Sequence, residues 1–128
     1  MNRRCHFEIW VQSHFSAAHS LRGYPGDCER LHGHNWMVDV YVQCKKLDTL
    51  GIGIDFRDVK AAVRELLGEL DHTELNALPP FHDENPSSEN VARYLYHELG
   101  RKLNLPGVRV SKVRVSETPT AGVLYWED

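Results

Sequence analysis

The stretch from His34 to Cys44, HNWMVDVYVQC, alternates strictly. Trp36, Val38, Val40, Val42 and Cys44 fall on one side, and Asn35, Asp39 and Gln43 on the other. Successive side chains of an extended chain point to opposite faces, so this is a half-buried strand with one face committed to a core. A strand of this kind needs neighbours on both edges and a layer over its apolar face. Residues 6–15, HFEIWVQSHF, supply one neighbour, with Phe7, Ile9 and Val11 on one face. The Gly- and Pro-rich SLRGYPGDCERL connects the two.

The covering layer is also legible. After the loop GIGID, Asp55 can cap a helix with Asp58 in its first turn. Val59, Ala62, Val63, Leu66, Leu67 and Leu70 then recur at helical spacing. DHTELNALPPFHDENPSS reads as loop. Ser87 or Ser88 can cap a second helix, striped by Val91, Leu95, Leu99 and Leu103. Gly107 opens VRVSKVRVSE, a strand whose phase shifts between Val110 and Val113, which predicts a β-bulge. Gly122 to Trp126 reads as a last strand. The expected architecture is α+β: one domain over residues 1–128, in the order ββααββ, with a four-stranded antiparallel sheet and two helices on one face. A sheet covered on one side keeps open edges, so association into a larger sheet or barrel is expected.

The composition excludes several classes. The net charge of −3 argues against a general nucleic-acid binder, which needs clustered Lys and Arg to meet phosphates. No 18-residue apolar run and no charged-then-apolar leader pattern occurs, so no membrane association is expected. Cys5, Cys28 and Cys44 lack CxxC spacing and are odd in number, which predicts no disulfide framework and a cytoplasmic location. Cys44 lies on the apolar face of its strand and reads as packing.

The eight histidines stand out. His32 and His34, in CERLHGH, are two residues apart, so both imidazoles project to the same side of an extended chain, with Gly33 between them leaving room. His19, in FSAAH, ends the preceding strand and comes near His34 if the two strands pair. Three neutral imidazoles match a catalytic zinc site that keeps one position open. Cys28 could instead complete a four-ligand structural site, or act as a thiolate nucleophile or base. Asp71 and His72 are adjacent in LDHTELN. A carboxylate can orient an imidazole, but spacing alone fits an ordinary helix end equally well.

FSAAH, CERLHGH, IDF, LDHTELN, NPSSEN and SETPTAG follow one another across nearly the whole chain. Together they resemble the 6-pyruvoyl-tetrahydropterin synthase family, and within it the 6-carboxy-tetrahydropterin synthases of queuosine biosynthesis. The resemblance implies the tunnelling fold, assembled as trimeric barrels stacked into a homohexamer with active sites between subunits. It implies His19, His32 and His34 as ligands of Zn2+, and Cys28, Asp71 and His72 as a catalytic triad. It places Glu117 as the carboxylate that anchors the pterin ring, with Ser88 and Glu89 lining the same pocket. The implied reaction converts 7,8-dihydroneopterin triphosphate to 6-carboxy-5,6,7,8-tetrahydropterin, acetaldehyde and triphosphate. Arg22 and Arg30 are near these motifs in sequence, either as cations for the triphosphate or as solvated loop charge.

Glu29 adds an alternative. Its spacing, ExxHGH, is similar to that of a relative which cleaves the same substrate to 6-hydroxymethyl-7,8-dihydropterin for folate synthesis. Keeping both Cys28 and Glu29 resembles a mixed subgroup capable of either reaction. Synthesis of 6-pyruvoyl-tetrahydropterin is a further enzymatic alternative, and a structural zinc module with Cys28 as fourth ligand is the non-enzymatic one.

Overall fold

The computed structural model describes residues 4–26 and 29–128. Strand β1 (Phe7–His19) pairs antiparallel with β2 (His32–Cys44) along its full length, from Phe7 opposite Cys44 to His19 opposite His32. Helix α1 spans Phe56–Gly68, followed by the short β3 (Thr73–Glu74) and two single 3₁₀ turns. Helix α2 (Ser88–Leu103) then leads into β4 (Val108–Thr118) and β5 (Ala121–Tyr125). The sheet order is β3-β1-β2-β4-β5.

The expected alternation is realised. Trp36, Val38, Val40, Val42 and Cys44 are buried, as are Val11, Phe15 and Ala17 on the same face of β1. Val59, Val63, Leu66 and Leu67 of α1 and Val91, Leu95 and Leu99 of α2 complete one core with them. Burial raises the pKa of the Cys44 thiol, consistent with its role in packing. Both helix starts follow from their caps. The Asp55 carboxylate accepts from Arg57 N–H at 2.8 Å, and the Ser87 hydroxyl accepts from Asn90 N–H at 3.1 Å. Because Ser87 is the cap, the hydroxyl of Ser88 is free for another partner.

The expected bulge is present in β4. Tyr41 faces Lys112 and Val42 faces Val110, so Ser111 is the extra residue. The inward set therefore changes from even to odd positions. Val110 lies inward before the bulge, and Val113 and Val115 lie inward after it.

The strand count differs from expectation: the sheet has five strands, not four. The additional β3 runs parallel to β1, with Thr73 beside Ala17 and Glu74 beside Ala18. Local contacts steer it there. Ser16 N–H donates to Asp71 Oδ1 at 2.8 Å, and His72 N–H donates to the Ser16 carbonyl at 2.6 Å. His72 turns the chain with φ at 59°, a conformation uncommon outside glycine. A two-residue pairing has no periodicity to read in sequence. Among the described residues, no helix is long and apolar enough to cross a membrane.

Candidate metal centre and active site

The antiparallel register of β1 and β2 brings three histidines to one end of the helix-covered face. His19 lies directly across from His32, while His34 lies one inward position further along β2. The ring centroids are 4.6 Å apart for His19 and His32, 5.2 Å for His19 and His34, and 4.9 Å for His32 and His34. One ligand atom from each falls within 4.8 Å of the others. Trp36, fully buried, packs edge-on against His19 and His34. Gly33 does not make the room expected of it: a Cβ there would touch only the Ala17 carbonyl, at 4.0 Å.

Hydrogen bonds select the nitrogen that faces the cluster. His19 Nδ1 lies 2.7 Å from the Pro86 carbonyl, and His32 Nδ1 lies 2.7 Å from the Arg30 carbonyl. A carbonyl only accepts, so each Nδ1 carries the proton and each Nε2 keeps a lone pair. His19 Nε2 and His34 Nε2 are buried without a hydrogen-bond partner among the described residues. Unpaired buried polar atoms are costly, and a cation bound between these lone pairs relieves that cost. Three neutral imidazole donors suit a borderline-soft divalent ion such as zinc. Burial lowers the pKa of His19, more than offsetting the Pro86 carbonyl and the Glu117 carboxylate, which favours the neutral ring that ligation needs.

Glu117 reaches the same face because of the bulge. Its position follows Val113 and Val115 in the inward set, whereas an unbroken strand would have continued through Lys112, Arg114 and Ser116. Its carboxylate accepts from the Ser88 hydroxyl at 2.8 Å and lies 3.7 Å from His19 Nε2 and 3.5 Å from His34 Nε2. A second irregularity sits beside it, where the β4–β5 register shifts between Val115 and Thr118. Gly122 packs against this kink. A Cβ at Gly122 would come 2.5 Å from Ser116 Oγ and 2.8 Å from the Val115 carbonyl.

Asp71 and His72 do form the adjacent pair: His72 Nδ1 lies 2.9 Å from Asp71 Oδ2. They stand at the β1 edge, with the His72 side chain 82% exposed. Backbone donation from Ser16, then the His72 contact, keeps the Asp71 carboxyl below its ordinary pKa. Glu29 and Glu89 are exposed, and Glu89 sits in the first turn of α2, where its charge complements the helix dipole. Cys28 lies outside the described residues. The exposed Arg22 guanidinium donates to the Phe81 carbonyl at 2.8 Å and, more distantly, to those of Asn76 and Glu84. Asn76, Asn85 and Pro86 were given no role by sequence reasoning, although they lie in or beside LDHTELN and NPSSEN.

The fold and the cluster together define an α+β domain with three histidines that could hold a metal ion at one end of its sheet. The chain belongs to the 6-pyruvoyl tetrahydropterin synthase family, whose profile matches residues 8–128. It is 35% identical over 123 residues to the 6-carboxy-5,6,7,8-tetrahydropterin synthase of Synechocystis sp., covering 92% of each chain. It is 33% identical over 122 residues to the dihydroneopterin monophosphate aldolase of Pyrococcus furiosus, covering 92% of this chain and 96% of the relative. The solved structure of Caenorhabditis elegans 6-pyruvoyl tetrahydropterin synthase superposes with a TM-score of 0.87 at 27% identity, over 100% of both chains.

Proposed function

We propose that this protein is a zinc-dependent lyase that converts 7,8-dihydroneopterin triphosphate, with water, to 6-carboxy-5,6,7,8-tetrahydropterin, acetaldehyde and triphosphate. The observation that carries the reading is the convergence of His19, His32 and His34 with a hydroxyl-braced carboxylate, Glu117, on one face of the sheet. The relatives named for this synthesis support the choice of reaction.

In this reading the imidazoles of His19, His32 and His34 would hold the ion, which would supply Lewis-acid polarisation of the substrate's side chain. Glu117 accepts two parallel hydrogen bonds from the amino group and ring N–H of the pterin, a bidentate match. Ser88 keeps that carboxylate from rotating away. The Cys28 thiolate removes a proton from the substrate side chain, and His72, oriented by Asp71, relays protons as acid or base.

The exposed Asp71–His72 pair acts in the site of a neighbouring subunit, in a homohexamer built from two trimers. The free edge of β5 and the part of β1 beyond β3 support this, because unpaired strand edges invite pairing between copies.

Glu29 favours a second product. It sits three residues before His32, and the relative from Pyrococcus furiosus is an aldolase. A carboxylate base suits retro-aldol cleavage to 6-hydroxymethyl-7,8-dihydropterin. One experiment tests both readings: purified protein is incubated with dihydroneopterin triphosphate and the pterins are separated. The 6-carboxy product is expected from wild type and lost in Cys28→Ala. Glu29→Ala is expected to remove any hydroxymethyl product. A structural zinc module would yield no pterin product and would unfold on chelation.

A further inference from the structure

β1 ends at His19, yet its edge goes on being paired. From Ser16 to Ser20 every second residue offers its backbone N–H and C=O to the same side, as expected along an extended chain, and Arg22 follows in a turn closed by Tyr24 N–H on the Leu21 carbonyl at 3.2 Å. Ser16 is met by the Asp71 carboxylate and the His72 N–H, and Ala17 and Ala18 are met by β3. Beyond the strand, side chains replace backbone. Ser20 N–H donates to Asn76 Oδ1 at 2.9 Å, and Asn76 Nδ2 donates to the Ser20 carbonyl at 3.0 Å. Arg22 N–H donates to Asn85 Oδ1 at 2.9 Å, and Asn85 Nδ2 donates to the Arg22 carbonyl at 3.0 Å. Each carboxamide supplies one donor and one acceptor, which is what a neighbouring strand residue would supply.

The clasp is itself anchored. Asn90 Nδ2 donates to the Asn85 carbonyl at 2.8 Å, tying Asn85 to the first turn of α2. Pro86, next in sequence, takes the His19 Nδ1–H. The Arg22 guanidinium closes over the Phe81 carbonyl. One segment, 76–86, thus fixes both the ring of His19 and the chain that leaves it toward residues 27–31.

We propose that Asn76 and Asn85 are positioning residues: Asn76 holds Ser20 as a side-chain extension of the β1 edge, Asn85 holds Arg22 in the turn that follows, and together they set the orientation of His19 in the metal cluster and the exit of the connection to β2. The assignment of His19 to a metal rests on the function proposed above. The clasp itself rests only on the hydrogen bonds.

The test uses full-length Asn76→Asp and Asn85→Asp, in which a carboxylate oxygen replaces the donor and faces a carbonyl. Zinc-free protein is titrated with Co2+ and followed by its visible ligand-field bands, and loop exposure is read from tryptic cleavage at Arg22 and Arg30. Both variants are expected to bind Co2+ more weakly, by up to about tenfold, the lower end of the range seen when a ligand's own outer hydrogen-bond partner is removed, since the Pro86 carbonyl itself stays in place. The bands are expected to change shape, and cleavage to quicken several-fold. Leu99→Ala, a core change remote from the site, controls for lost stability and is expected to keep wild-type Co2+ affinity. Should either Asp variant fail to fold, the corresponding serine variant takes its place. Wild-type affinity, bands and cleavage in both variants, or an equal loss in Leu99→Ala, would overturn the proposal. If wild type itself takes up no Co2+, the metal reading fails, and the cleavage rates alone judge the clasp.

Discussion

Ser88, the first residue of α2, donates its hydroxyl hydrogen to Glu117, near the end of β4, across 2.8 Å. The contact depends on two earlier choices in the chain: Ser87 rather than Ser88 caps the helix, and the extra residue Ser111 turns Glu117 inward. Ser88→Ala removes the brace without touching the core. A hydrogen bond to a charged group contributes about 1.5–3 kcal/mol. Since Glu117 is partly exposed, an effect toward the low end is expected, roughly a tenfold rise in KM. Steady-state kinetics with dihydroneopterin triphosphate check this, with kcat and Tm expected to stay near wild type.

Gly122 sits against the kink that carries Glu117. Gly122→Ala places a methyl group 2.8 Å from the Val115 carbonyl, which is backbone and cannot rotate aside. β5 must shift, at a cost of about 1–3 kcal/mol, as for other overpacked sites. Thermal unfolding is expected to show a Tm lower by several degrees, and pterin binding by fluorescence quenching is expected to weaken with it.

Metal removal separates a catalytic from a structural site. The core of β1, β2, β4 and the two helices does not involve the histidine cluster's Nε2 atoms, so the fold is expected to survive chelation. Far-UV circular dichroism should be unchanged after dialysis against a chelator, while turnover disappears and returns with Zn2+. Ligand linkage predicts a lower Tm for the metal-free form, since an ion at about 100 times its Kd adds about 2.7 kcal/mol.

Acid stability reports on Asp71. Its folded-state pKa lies below the ordinary carboxyl value, first through Ser16 N–H and then through His72. A carboxyl depressed in this way contributes its full stability above the unfolded value, and loses it as pH falls through the folded value. Asp71→Asn is therefore expected to lower the urea midpoint at pH 6, with the gap to wild type narrowing below about pH 4. Asp55, held down by Arg57, and Glu127, held down by Tyr125 and then His97, keep some acid dependence in the variant.

Sequence alone determined what local rules govern. The alternation of β2 marked its buried face, Asp55 and the Ser87–Ser88 pair marked the helix starts, and the broken phase between Val110 and Val113 marked the bulge, because each depends on neighbours a few residues away. HxH spacing likewise showed that His32 and His34 share a face. Tertiary structure decided everything that needed a partner distant in the chain. It set His19 opposite His32, added β3 to the β1 edge, brought the Arg22 guanidinium to the Phe81 carbonyl, and set Asn76 and Asn85 against the backbone of Ser20 and Arg22. No pattern encodes such pairings, since a carboxamide meets a backbone amide only after the sheet and helices have placed both. The consequence of the bulge was decided in the same way. Its phase shift is written in the valines, but only the register against β2 and the approach of α2 turned it into a carboxylate beside the imidazoles of His19 and His34.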